Sequence, residues 1–176
     1  MNRVGISFSL LAIGWMATGA GLLPAEAGPV ASIGESGEVV ELRHQVDGRT
    51  VVDPLPLYRA NGVRYFSAGV GLEERAAEYP PFPLKLIFAA GGKLYLTGVA
   101  VTIASVGGGS TVSIPMDHVG GPWLFVDLPA GVYDVTAAHG GKAKTLKQIK
   151  VEAGKQKTLT FRWAEESGFA AKLPAD

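Results

Sequence analysis

From Gly91-Gly92 onward, apolar and polar residues alternate along the chain. Val99, Val101 and Ile103 are interleaved with Ala100 and Thr102; Tyr133, Val135 and Ala137 with Asp134 and Thr136; Leu159, Phe161 and Trp163 with Thr158, Thr160 and Arg162. A period of two puts every second side chain on one face, which predicts half-buried strands. Residues 111–114, 123–128 and 145–151 read as further strands. Gly107-Gly108-Gly109-Ser110, Pro129-Ala130-Gly131, Gly140-Gly141 and Ala153-Gly154-Lys155 stand between strands as turns. Turn signals recurring about every ten residues predict a small antiparallel sandwich over 93–163.

Upstream the pattern changes. Val63, Tyr65 and Ser67 alternate with Arg64 and Phe66, and Gly69-Val70-Gly71 then breaks the strand. Leu72, Ala76 and Tyr79 share a face at i, i+4, i+7, and Glu73-Glu74 suit a positive helix N-terminus, so 72–79 reads as a short helix. Pro80-Pro81-Phe82-Pro83 ends it, and Leu84, Leu86 and Phe88 begin another strand. Residues 63–92 thus form a short β-α-β element. Residues 28–62 have mixed polarity. Val39-Val40 and Val51-Val52 flank Asp47-Gly48, leaving two readings open, a hairpin or a loosely attached leader. Residues 164–176 lack periodicity and read as a flexible tail.

One strand departs from simple alternation. Trp123 and Phe125 face one way, yet Leu124, Val126 and Leu128 are apolar too. A strand with one wet face does not carry both sets. Either the helix through Leu72, Ala76 and Tyr79 covers the second face, which is preferred, or a partner protein does.

The N-terminus carries one charge, Arg3, before Glu26. Between them runs an apolar stretch through Val4, Ile6, Phe8, Leu10, Leu11, Ile13, Trp15 and Met16, followed by Ala25-Glu26-Ala27. That is the layout of a signal peptide over 1–27, cleaved after Ala27, with Thr18-Gly19-Ala20 as an earlier alternative. Gly5, Gly14, Gly19 and Gly21 interrupt the run, which weakens a membrane anchor. The expected product is periplasmic or secreted, with no membrane span left.

Composition narrows the function. Sixteen basic and sixteen acidic residues balance, which argues against a nucleic-acid partner. With no cysteine there is no disulfide framework, thiolate catalysis or Cys-ligated metal. Apolar residues at 47% are too many for a disordered chain.

The stretch Phe125-Val126-Asp127-Leu128-Pro129-Ala130-Gly131-Val132-Tyr133-Asp134-Val135 resembles the F-x-x-L-P-x-G-x-Y-x-V signature of transthyretin-like sandwiches, and is especially similar to carboxypeptidase regulatory-like domains of exported proteins. The resemblance spans about 93–163. It implies that Phe125, Leu128, Pro129, Gly131, Tyr133 and Val135 are structural residues around one corner of a usually non-catalytic domain. The physics fits. Leu128 and Tyr133 fill the core on either side of the corner, Pro129 sets one φ, and Gly131 answers either a steric clash or a positive φ.

Candidate chemistry is thin. Gly69-Val70-Gly71-Leu72-Glu73-Glu74 imitates a dinucleotide turn, but Glu74 stands at the third glycine position, where its carboxylate would repel a pyrophosphate. Gly108-Gly109-Ser110-Thr111-Val112 lacks the second glycine of a nucleophile elbow. His44, His118 and His139 have no metal spacing and are expected in exposed loops; the Asp117-His118 pair is expected to point to opposite sides. Glu73-Glu74 and Glu165-Glu166 read as solvated charge. Lys142, Lys144, Lys147 and Lys150 crowd one predicted strand pair, as an edge guard, which is preferred, or as a basic strip for lipid headgroups or polysaccharide.

The expectation is therefore a mainly β protein, a transthyretin-like or Ig-like sandwich preceded by a β-α-β element. It is expected to be non-enzymatic, without metal or cofactor, binding or assembling with another envelope protein. Leu124, Val126, Lys142, Lys144 and Lys147 are the candidate interaction surface. A carbohydrate-binding module, with Tyr95, Trp123 or Trp163 as platform, is the alternative, and a hydrolase ranks last.

Overall fold

The computed structural model describes residues 28–92 and 94–164, so the expected signal peptide and all of the expected tail after Ala164 lie outside the described residues. The elements run β1 (Val30–Ile33), β2 (Val39–Val46), β3 (Arg49–Pro56), β4 (Tyr58–Ala60), β5 (Val63–Ala68), α1 (Leu72–Ala76), β6 (Leu84–Ala90) and β7 (Leu94–Tyr95). Then come β8 (Ala100–Ser105), β9 (Val112–Ile114), a 3-10 turn (Met116–His118), β10 (Trp123–Val126), β11 (Gly131–His139), β12 (Lys142–Val151) and β13 (Lys157–Trp163). The chain is mainly β, arranged in three sheets: β1-β2-β3; β13-β6-β10-β5-β4 with β7 on β6; and β12-β11-β8-β9.

Three hairpins close on two-residue turns with both φ positive: Asp47 (+49°) and Gly48 (+73°), Asn61 (+48°) and Gly62 (+80°), Gly140 (+54°) and Gly141 (+75°). Such turns match the right-handed twist of the strands they join. The first of them makes 39–56 a hairpin paired from Val39↔Pro56 to Val46↔Arg49.

β10 runs antiparallel between β5 and β6, and β13 joins the far side of β6 in parallel. The 63–92 stretch and strands from the predicted sandwich therefore form one sheet, and a boundary at residue 92 falls inside it. Both faces of that sheet are covered, which explains the doubly apolar strand. Leu124 and Val126 are fully buried in one core with Leu86, Phe88, Val101, Ile103, Val135 and Phe161. Phe125 is buried in a second core with Phe66, Phe82, Ala31, Val40, Leu42 and Leu57. Removal of each large side chain from water contributes about 1.5–3 kcal/mol.

Two expectations need correction. Leu124 and Val126 cannot form an interaction surface, because they are core. Nor does the short helix cover the other face of β10. It ends at Ala76, Leu72 is 74% exposed and Ala76 is exposed. Five residues are too few to hold a helix without strong packing, and Ala77 is already extended (φ −70°, ψ 145°). The following residues pair with β1 instead, the Ala31 N–H donating to the Glu78 carbonyl at 2.7 Å. Tyr79 does reach the second core, 4.7 Å from the Phe125 ring, but from extended chain. The cover is the β1–β3 sheet.

At the Pro129–Tyr133 corner, Leu128 and Tyr133 are buried and Val135 lies deep in the first core. The Tyr133 hydroxyl donates to the Pro129 carbonyl at 2.9 Å. A Cβ on Gly131 would stand 3.1 Å from the Tyr133 ring, and φ there is not positive, so close packing is what calls for glycine.

Candidate functional site

A half-open cleft of about 270 Å³ lies where β4, the end of β5, the turn into α1 and the 3-10 turn converge. Close backbone approach builds its floor. A Cβ on Gly121 would fall 2.3 Å from the Ala68 carbonyl oxygen, so only glycine lets the 119–122 segment lie against β5. The Ser67 hydroxyl accepts from the Gly121 N–H at 2.8 Å and shares its hydrogen between the carbonyls of Gly121 and Trp123, each 3.1 Å away. Ser67 is thus occupied by backbone.

Glu74 forms one wall. Its carboxylate accepts from the N–H groups of Gly69 (2.6 Å) and Val70 (3.2 Å). The amide concavity that a phosphate would need is filled by the protein's own anion. Glu74 is therefore a turn-capping group, a correction to its reading as solvated charge. Gly69 has φ +98° and its missing Cβ leaves room for the Trp123 indole, 2.9 Å from where that atom would be.

The opposite wall is aromatic. The His118 ring lies parallel on Tyr58, centroids 3.8 Å apart and planes 6° from parallel. Its Nδ1 is 2.8 Å from the Tyr65 hydroxyl. Burial, then the neighbouring charges of Tyr58 and Asp117, push the Tyr65 hydroxyl above its usual range. It therefore stays protonated, and a protonated hydroxyl pairs with Nδ1 as donor or as acceptor, so the contact holds the ring in place with either tautomer. His118 is thus half-buried and held from two sides, where the sequence suggested an exposed loop. Asp117 lines the same cleft, not the opposite side, because the 3-10 turn brings adjacent residues together. No cation pairs with Asp117 among the described residues. Val70, a lining residue, is 59% exposed, and Leu72 (74%) and Met116 (59%), each within two residues of a lining residue in the chain, are exposed as well.

The histidines go to separate partners. His44 Nε2 is 2.8 Å from Asp53. His139 packs edge-on against Trp163. Among the described residues no group of three or more His, Asp or Glu could hold a metal, and no helix is long and apolar enough to cross a membrane.

The lysines do not form one strip. β12 is an edge strand, and Lys142 and Lys144 pair with His139 and Ala137 on the face that buries Val135. Lys150, opposite Val132, is on the other face, beyond an irregularity between Tyr133 and Val135. There Gln148 takes φ +58°, its N–H donating to Asp134. Lys144 and Lys147 are exposed. Lys150 and Lys155 both reach Glu152, at 2.6 and 3.0 Å, so one carboxylate offsets part of the positive charge in the open groove beside the corner. The larger volume of that groove, about 540 Å³, reflects its openness. Pattern reading missed Tyr58, Tyr65 and Lys85. Lys85 Nζ sits 3.5 Å from the Trp123 ring centroid and 5.0 Å from that of Phe125. Burial lowers its pKa.

No protein-family model matches the chain, and no curated protein sequence matches it. Among solved structures it is similar to the Bacillus anthracis TIE protein, at 13% identity and a TM-score of 0.33, over 81% of this chain and 27% of that one. What stands is a mainly β, three-sheet protein with an aromatic-walled cleft among the described residues.

Proposed function

We propose that this chain is an exported, non-catalytic β-sandwich module of the carboxypeptidase-regulatory or transthyretin-like kind that docks a partner protein in the cell envelope. The observation that carries the reading is the cleft lined by exposed Val70, with exposed Leu72 and Met116 within two residues of its lining in the chain. Exposed apolar side chains beside a concave site are the anatomy of a binding surface. Binding is favoured over catalysis because Ser67 is consumed by backbone and the Nδ1 of His118 is committed to Tyr65. The family reading draws on the Leu128–Tyr133 corner, and export draws on residues 1–27. The carbohydrate alternative is weakened, since Trp163 is buried and Trp123 is roofed by Lys85, leaving Tyr95 exposed.

A photo-crosslinking residue placed at Leu72 or Met116 in the native cell tests the docking face, with Thr160 on the exposed side of β13 as control. Discrete protein adducts from the two cleft positions and none from Thr160 are expected. Equal labelling at all three positions would remove the docking face.

A further inference from the structure

We propose that the occupant of the cleft is a basic side chain, arginine above lysine, presented by an exposed segment of the partner protein; this deepens the docking reading and rests on it. Charge comes first. Two carboxylates, Glu74 and Asp117, line the cleft, and no lysine or arginine does. Glu74 is partly compensated by two N–H donors, whereas Asp117 is solvent-exposed and without a cationic partner among the described residues. It is free to make a charge-assisted hydrogen bond to an incoming cation.

Shape comes second. Tyr58 and His118, their rings stacked on each other and 6° from parallel, form an aromatic wall. A guanidinium stacks on such a surface while its edge reaches a carboxylate, which a compact ammonium cannot do as well. Leu55, Pro56 and Val70 supply apolar walls for a methylene stem. A volume of about 270 Å³ lies below the range of cofactor and drug sites and suits a single side chain. The Tyr65 hydrogen bond fixes the imidazole, so the platform is formed before anything binds.

The test uses the full chain and two small probes of matched size, N-acetyl-arginine methylamide and its neutral isostere N-acetyl-citrulline methylamide, followed by amide and imidazole NMR shifts. The arginine probe is expected to saturate shifts at Val70, Gly120, Gly121 and the His118 ring about tenfold more tightly than citrulline. Asp117→Asn should bring arginine down to the citrulline level. Tyr58→Leu should weaken both probes while keeping their ratio, and Lys144→Ala should change neither. Spectral dispersion reports folding of each variant in the same experiment. Equal binding of the two probes, or an Asp117→Asn protein that still prefers arginine, would overturn the proposal. If arginine does not bind while Leu72 still crosslinks, docking stands and the basic occupant falls. If arginine binds but no crosslinks form, the partner protein falls and the cleft is a site for a free guanidinium compound.

Discussion

The two faces of the central sheet are built from different material. The core on the side of β8, β9, β11 and β12 is mostly aliphatic: Leu84, Leu86 and Leu124 of the central sheet share it with Val101, Ile103, Ile114 and Val135 of the facing sheet. Tyr65, Phe88, Phe161 and Trp163 are its aromatic members from the central sheet. The face toward β1–β3 is largely aromatic. Phe66 lies parallel to Phe125 at 4.7 Å and meets the Phe82 edge at 5.2 Å, with Tyr79 tilted against both Phe66 and Phe125. Branched aliphatics interdigitate between two stacked sheets, each of which supplies many strands. On the other side a three-stranded sheet offers only Ala31, Val40, Leu42 and nearby Leu57 as buried partners. Large rings then fill the space that a small cover leaves, and add ring-pair energy of about 0.5–1.5 kcal/mol each.

That contrast can be broken most directly with neighbouring residues of β10. Phe125→Ala should cost about 3–5 kcal/mol and Leu124→Ala about 2–5 kcal/mol, each by denaturant melts. Hydrogen exchange separates them: Phe125→Ala is expected to release the β2 and β3 amides first, Leu124→Ala those of β8 and β11. Identical exchange patterns would mean that the two cores open as one unit.

At the corner, the ring and the hydroxyl of Tyr133 can be weighed separately. Tyr133→Ala should cost about 3–5 kcal/mol through the lost ring. Tyr133→Phe removes only the bond to the Pro129 carbonyl and should cost about 0.5–1.5 kcal/mol. A Tyr133→Ala protein as stable as the parent would place the ring outside the core.

High pH probes both faces together. Burial raises the hydroxyl pKa of Tyr65 on one face, and burial with the Glu74 charge raises that of Tyr79 on the other. Both groups hold their proton more tightly folded than unfolded. Their stabilising contribution is complete below pH 10, the unfolded value, and is lost as pH rises toward the folded values. Thermal midpoints should fall above that pH. Tyr79→Phe should flatten the fall more than Tyr65→Phe, because Tyr79 is shifted furthest. A slope unaltered by either change would assign the alkaline loss to other groups.

Edge lysines should matter least to folding. Lys144→Ala is expected to change stability by under about 0.5 kcal/mol, while light scattering on heating rises if the lysine guards the β12 edge. No change in aggregation would remove the guard role.

Some of this was legible in residues. The alternation at Val99–Ile103, Tyr133–Ala137 and Leu159–Trp163 placed strands and their inward faces, since a period of two leaves no other arrangement for those side chains. Asp47-Gly48 and Gly140-Gly141 marked turns that only small or flexible residues accept. Asn61-Gly62 carries an equally strong hairpin signal, hidden because its flanking strand Tyr58–Ala60 has just three residues. The helix failed because five residues cannot stabilise themselves and β1 competes for the chain just after them.

The candidate site was much less legible. Tyr58 and Tyr65 belong to neighbouring strands, but His118 stands far along the chain, and a short 3-10 turn after β9 delivers it. No local spacing could announce that meeting. Alternation, turn chemistry and the absence of cysteine determined by themselves that this protein is mainly β and rests on packing. Tertiary structure alone decided that β10 lies between β5 and β6, that its second face is covered by residues 30–56, and that Tyr58, Asp117 and His118 share one cleft with buried Tyr65 bonded to His118. The reason is physical: periodicity says which side of a strand is apolar, whereas what covers that side depends on contacts between segments distant in the chain.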